Sequence, residues 1–171
     1  MKRQKFLAKL RSLIPKYGSD NIIYFDESGF EANVYRDHGW ALRGNKIYID
    51  VTGKREKRTN LIMAQRGRRG KNWLAPMLFQ GACTAITVEV WIKECLLKEL
   101  KKPSIIIMDN APVHNKSTIK KLFENEGHVL LPLPPYSPDF NPIEGTFGSM
   151  KVTRRSLPEG SVIDDLFIGN S

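Results

Sequence analysis

Two short apolar runs that end on aspartate constrain this chain more than any other feature. Ile22-Ile23-Tyr24-Phe25 ends on Asp26, and Ile105-Ile106-Ile107-Met108 ends on Asp109. Continuous apolar runs of this length, bounded by turn-forming residues, read as buried strands. A third carboxylate, Glu144, opens a helix after the loop Pro134-Pro135-Tyr136-Ser137-Pro138-Asp139-Phe140-Asn141-Pro142, and 34 residues separate it from Asp109. Three carboxylates delivered by two strand ends and a helix start can surround a pair of divalent metal ions.

The rest of the chain supplies a frame for them. Phe6, Leu7, Leu10, Leu13 and Ile14 recur at helical spacing over 2–14, and Pro15 is expected to end that helix. Further strands are expected at 47–51, 61–64 and 76–79, the last starting late or running at an edge because of Pro76. Thr87 to Lys101 reads as a helix capped by Thr87, with Trp91, Ile92, Cys95, Leu96 and Leu100 on one face and Glu89–Lys93 and Glu94–Lys98 at i,i+4. A polar helix over 116–126, a strand at 129–131 and the helix carrying Glu144 follow. Meandering strands succeeded by strand–helix alternation predict an α/β fold, a mixed β-sheet flanked by α-helices. A parallel crossover between the two aspartate-ended strands would bring both carboxylates to one sheet edge, where ligands of such sheets bind.

The chain has 171 residues, enough for one domain with a core, and Lys plus Arg exceed Asp plus Glu by 27 to 18, a net charge of +9. That excess points to a polyanionic partner, and beside a metal site the natural one is a phosphodiester backbone. Cys83 and Cys95 are too few and too isolated for a disulfide framework or a zinc site, and buried reduced thiols are expected. With no apolar stretch of membrane-spanning length and no signal-peptide core after Met1-Lys2-Arg3-Gln4-Lys5, a cytoplasmic, nucleoid-associated location without membrane contact is expected.

Each carboxylate also has an ordinary structural explanation. Asp26 and Asp109 stand before turn-forming residues. Asn141 can cap the last helix, Pro142 suits its first position, and Glu144 falls where a capping box places its acid. Their joint occurrence favours a site, because like charges brought together destabilise the empty cluster unless cations sit between them.

Asp26-Glu27-Ser28-Gly29-Phe30, Gly39-Trp40-Ala41-Leu42-Arg43-Gly44, Met108-Asp109-Asn110-Ala111 and Tyr136-Ser137-Pro138-Asp139-Phe140-Asn141-Pro142-Ile143-Glu144 resemble the successive signatures of the DDE-type catalytic domain of mariner-related bacterial insertion-sequence transposases. The likeness covers about residues 20–155, includes the spacing of Asp109 and Glu144, and is most specific in the Ser-Pro-Asp-Phe-Asn-Pro-Ile-Glu run. It implies a ribonuclease-H-like fold and makes Asp26, Asp109 and Glu144 a catalytic, metal-binding triad. The implied cofactor is two Mg²⁺ ions, with Mn²⁺ expected to substitute. The implied reaction is hydrolysis at transposon ends followed by attack of the freed 3′-hydroxyl on target DNA. Asn110 would orient Asp109 or a metal-bound water, and His114 would meet a phosphate.

Phosphate contacts are also expected from the cationic loops Lys54-Arg55-Glu56-Lys57-Arg58 and Arg66-Gly67-Arg68-Arg69-Gly70-Lys71 (Arg66, Arg68, Arg69 and Lys71 above all) and from Lys151 and Arg155, which share a helical stripe with Glu144 and Gly148. Ile143, Phe147 and Met150 form the adjacent apolar face. Gly145 and Gly148 weaken that helix, for close approach of DNA or for tight packing on the sheet. The expected organisation is a basic amphipathic helix and linker over 1–19, the catalytic domain over 20–157 and a tail over 158–171. With about 20 residues before the first strand, recognition of transposon ends is expected from a separate helix-turn-helix domain or subunit, and activity from a homodimer. The chain would then be a split-frame product, a decayed copy or an excised domain. Two other readings fit the same residues: a non-catalytic basic DNA-binding remnant whose carboxylates are only caps and turns, and a stand-alone structure-selective nuclease.

Overall fold

The computed structural model describes residues 1–31, 58–68, 72–111, 114–157, 161 and 163–168. The expected strand at 47–51, the segment Gly39–Gly44, residues 54–57, and Arg69 and Lys71 lie outside them. Among the described residues a five-stranded mixed sheet forms the centre, in the order β3-β2-β1-β4-β5. Its strands are β1 (Ile22–Phe30), β2 (Thr59–Arg66), β3 (Trp73–Gln80), β4 (Ile105–Met108) and β5 (Val129–Pro132). The first three are antiparallel neighbours, while β4 and β5 run parallel to β1.

Helices cover both faces, which is why the aspartate-ended runs are continuously apolar. One face carries α2 (Ala85–Trp91), a π-helical stretch (Ile92–Leu96), α3 (Leu97–Glu99) and α4 (Lys116–Asn125). Here Ile23, Phe25, Ile62, Ile106 and Met108 meet Trp91, Ile92, Leu96, Ile119 and Phe123. The other face carries α1 (Lys2–Tyr17), α5 (Pro142–Ser156) and α6 (Asp165–Ile168). There Tyr24, Leu61, Met63, Ile105 and Ile107 pack with Phe6, Ile143, Phe147, Met150, Ile163 and Leu166. The apolar face expected for α5 is therefore the one it buries. Phe6 of α1 and Ile163 and Leu166 at α6 join this second core. Among the described residues no helix is long and apolar enough to cross a membrane.

Several local expectations change. Pro15 lies inside α1 and not at its end. It falls in the last turn, and Gly18, at φ 86°, closes the helix by donating its N–H to Ile14 O at 2.8 Å. The cap of α2 is Thr84, three residues before the expected Thr87, and the two threonines form a reciprocal capping box. Glu94–Lys98 closes at 2.9 Å. Among the described strands Pro76 does lie on an edge, but β3 begins before it, at Trp73. The irregularity is absorbed by a bulge that puts Ala75 at φ 49°. Glu99 accepts the Ala75 N–H at 3.1 Å, and the indole N–H of buried Trp91 donates to the Ala75 carbonyl at 2.7 Å, so both backbone polar groups of Ala75 are met. Cys83 and Cys95 are free but half-buried, short of the full burial expected.

Candidate active site

Strand β1 does not end at Asp26, as its apolar run suggested. It continues through Asp26-Glu27-Ser28-Gly29-Phe30, held extended by antiparallel pairing with Thr59–Met63 of β2. Its parallel pairing with β4 stops earlier, at Tyr24↔Ile107. Continuing that register places Asp26 beside Asp109, one residue beyond β4, at the point where the two strands part. Side-chain alternation puts Asp26 on the face of Tyr24 and Phe30, and Asp109 on the face of Ile105 and Ile107. Helix α5 packs on that same face, and Glu144 is exposed in its first turn.

The structural alternative for Glu144 does not hold. Asn141 occupies the N-cap position of α5, yet its side chain makes no capping bond. It donates instead from Nδ2 to Asp26 Oδ2 at 3.2 Å. No reciprocal box forms: the Asn141 N–H goes to Pro138 O at 2.8 Å, and Glu144 N–H is satisfied by the Asn141 backbone carbonyl at 3.3 Å. The amide is thus spent on fixing α5 and its glutamate against the first aspartate. Other ties hold α5 in place. Thr146 donates to the buried Gln65 of β2, and Arg154 donates to Glu31 O at 2.6 Å. The turn before α5 is pinned to α1 by Arg3, which bonds both oxygens of Asp139 and lies 4.3 Å over the Phe140 ring.

Electrostatically the cluster is under strain. The Asp26 carboxyl is pushed up to about 7. Burial is the largest cause, opposed by a 2.8 Å bond from Glu27 N–H and reinforced by the charges of Glu27, Asp109 and Glu144. His114, expected at a phosphate, is buried instead. Its Nε2 lies 3.3 Å from Glu27 Oε1 and 3.6 Å from Asp109 Oδ1, with Nδ1 unpartnered among the described residues. The hydrogen bond to Glu27 raises the affinity of His114 for its proton against the opposing effect of burial, and the charges of Glu27, Asp109 and Asp26 add to it. Asp109 Oδ1 also accepts the Ala111 N–H at 3.2 Å. Ala111 and His114 thus both stand at Asp109 Oδ1, and the Asn110 backbone carbonyl accepts from Lys116 at 3.2 Å. Glu27 and Asn141 were missed as site residues, although both stand inside the motifs quoted above.

The donor set fits a hard divalent cation: every candidate atom is a carboxylate or amide oxygen, and the accumulated negative charge is what such an ion relieves. Among the described residues no three His, Cys, Asp or Glu side chains are already drawn into a coordination cluster.

The expected phosphate-binding residues divide. Lys151 and Arg155 are exposed on α5, on the side of Glu144. Arg66 and Arg68 lie at the other end of β1, where Ile23 pairs with Arg66. Both have protein partners: Arg66 donates to Asn21 at 3.0 Å, and Arg68 donates to the Asp139 carbonyl at 3.3 Å and interacts with Tyr24. An added Cβ at Gly145 or Gly148 would meet nothing within 4 Å, so tight packing does not explain these glycines.

A family model described as "DDE superfamily endonuclease" matches residues 21–165. No curated protein matches the chain. Among solved structures, the mariner Mos1 paired end complex with Mg is 21% identical, with a TM-score of 0.71 over 99% of this chain and 54% of that one. The Mos1 strand transfer complex is 22% identical, with a TM-score of 0.69 over 89% and 47%. The isolated catalytic domain of Mos1 mariner transposase is 18% identical, with a TM-score of 0.65 over 99% and 80%. The chain spans about half the length of the longer relatives, 48% of the Mos1 pre-cleavage transpososome chain. These likenesses establish the ribonuclease-H-like arrangement of the sheet and its helices.

Proposed function

The chain belongs to the DDE superfamily endonuclease family, and we propose that it is a transposase catalytic domain that cuts DNA strands and transfers them, with Asp26, Asp109 and Glu144 as its metal-binding triad. The observation that carries this reading is the Asn141–Asp26 bond at 3.2 Å, because it diverts the natural cap of α5 to the site and leaves Glu144 without a capping role. Two Mg²⁺ ions, or Mn²⁺ in their place, would activate the attacking oxygen and stabilise the leaving one.

The chain's own residues do the rest. Asn141 holds Asp26 Oδ2 and the Glu27 N–H holds Oδ1, so this carboxylate is oriented before any ligand arrives. Ala111 and His114 do the same for Asp109. With its carboxyl near 7, Asp26 keeps a proton close to neutrality, and a cation would take that proton's place. Lys151 and Arg155 lie on the path a phosphodiester would follow along α5 from Glu144, and the open flank at Gly145 and Gly148 lets a backbone approach. Arg69 and Lys71 would extend this contact, as would Arg66 and Arg68 once released from their protein partners. Complete transposition would add a helix-turn-helix domain or subunit for the transposon ends, and pairing of two catalytic domains. A nucleoid-associated location follows from that reading.

The test is nicking of supercoiled plasmid in Mn²⁺ by wild type, Asp109→Asn and Glu144→Gln, with melting temperatures recorded with and without the ion. Loss of nicking in both variants at unchanged stability, together with loss of the metal-induced rise in melting temperature, is the expected result. Variants that still nick would refute the triad. A wild type that binds DNA yet gains no stability from Mn²⁺ would favour the non-catalytic remnant.

A further inference from the structure

Beside the carboxylates lies a cavity of about 490 Å³ whose lining includes Glu27, Ser28, Arg58, Asn60, Cys83 and Lys151. Its most unusual contact is at Gly29. A Cβ built there would fall 1.7 Å from Arg58 Nε, 1.9 Å from Nη2 and 2.0 Å from Cζ. The Arg58 guanidinium therefore occupies the space a side chain at residue 29 would fill, and lies across the bare strand backbone. Arg58 directly precedes β2, whose Thr59 pairs with Phe30, so its fork is folded back along β1 towards Glu27. Lys151 enters the same cavity from α5, its Nζ 5.6 Å from the Phe30 ring centre. Among the described residues neither cation forms an ion pair, and the one acid of the lining, Glu27, is turned to His114. Ser28 and Asn60 add polar groups, and burial together with the Glu27 and Asp26 charges pushes the Cys83 thiol up to about 11, so it stays neutral.

We propose that this cavity is a phosphodiester subsite for the DNA strand next to the bond being cut, with Arg58, seated by Gly29, and Lys151 gripping one backbone phosphate from opposite sides. A guanidinium presents paired N–H donors that match a phosphate, and a glycine seat fixes its plane at little entropic cost to the grip. Arg58 is a binding residue of the DNA-cutting reading above, on which this subsite rests.

The experiment measures binding of a short labelled DNA duplex by fluorescence anisotropy between about 50 and 200 mM salt. The proteins are wild type, Arg58→Gln, Arg58→Lys, Gly29→Ala and the Gly29→Ala/Arg58→Gln double variant. Arg58→Gln should weaken binding several-fold and lower the slope of log affinity against log salt by about one. Arg58→Lys should restore the slope but not the full affinity. Gly29→Ala should weaken binding although every charge remains, and should add nothing once Arg58 is gone. Arg58→Gln is an exposed change, so it tests the subsite even where Gly29→Ala disturbs folding. Binding by Arg58→Gln within about two-fold of wild type at an unchanged slope overturns the subsite. If wild type nicks and Asp109→Asn does not, that result removes the subsite alone. A wild type with no affinity for DNA removes the subsite and the reading beneath it together.

Discussion

Ile22, Ile23 and Tyr24 are flanked in the sheet by β4, with β2 alongside from Ile23 onward, whereas Asp26 to Phe30, in the same strand, have β2 alone among the described residues. The first stretch is apolar, half-buried at Ile22 and fully buried beyond it, with Ile23 at 0% and Tyr24 at 2% exposure. The second is acidic and polar until buried Phe30 closes it, and its Glu27, Ser28 and Gly29 line the cavity that holds Arg58 and Lys151. One strand thus serves as anchor at one end and as a platform for chemistry at the other. The change comes where β4 leaves it, because a strand edge without a partner can present side chains and backbone to a ligand. The lesson is that an anchored half lets the exposed half hold charges that would otherwise spread apart.

The comparison breaks most visibly in activity. Asp109→Asn should reduce Mn²⁺-dependent nicking to the level of a metal-free control while the melting temperature holds. A variant that nicks normally would mean the open half is not catalytic. Next in size is the anchor: Ile23→Ala should cost about 2–5 kcal/mol in chemical denaturation. Ser28→Ala, five residues along the same strand, should stay within about 0.5 kcal/mol of wild type. Equal costs at the two positions would erase the distinction.

A third effect follows from the Asp26 carboxyl, raised from 3.8 to about 7. Because the folded form holds this proton more tightly than the unfolded one, metal-free stability should fall as pH rises from about 4 through 7. His114, also raised above its ordinary 6.5, should continue the fall in the same direction. Asp26→Asn should flatten the lower part of that slope, and Mg²⁺ should stabilise wild type more at pH 8 than at pH 5. Thermal melts across this range, with and without the ion, check the sign. The smallest change concerns α5. Gly145→Ala, with open space around the new Cβ, should stabilise by about 0.5–1 kcal/mol in denaturant titrations. Weakened DNA binding in the same variant would locate the approaching backbone at that helix.

Much of this architecture was legible in the residues. The runs ending at Asp26 and Asp109 are strands because four consecutive apolar side chains need cover on both faces, and Ile143, Phe147 and Met150 marked the buried face of α5 by spacing alone. What escaped has a common cause in distant partners. Asp26-Glu27-Ser28-Gly29 has the composition of a turn, and only β2, some thirty residues further on, keeps it extended. Asn141 has the position and chemistry of a cap, but Asp26 is a stronger attraction for its amide than the helix end. His114 read as a phosphate contact because nothing in its sequence neighbourhood announces that Glu27 lies 3.3 Å from its Nε2. Arg66 and Arg68 looked free for phosphate, yet Asn21 and the Asp139 carbonyl stand within their reach.

By itself the sequence determined most of the described strands and helices, the three carboxylates and the basic balance, because periodicity, residue chemistry and spacing are local properties, and its motifs carried the family resemblance. Tertiary structure alone decided where β4 parts from β1 and which donors orient Asp26 and Asp109. It also decided which cations are tied down and which face the cavity. Those outcomes depend on competition among groups far apart in the chain, and such competition is settled only when the sheet and its two helical layers bring the rivals within hydrogen-bonding distance.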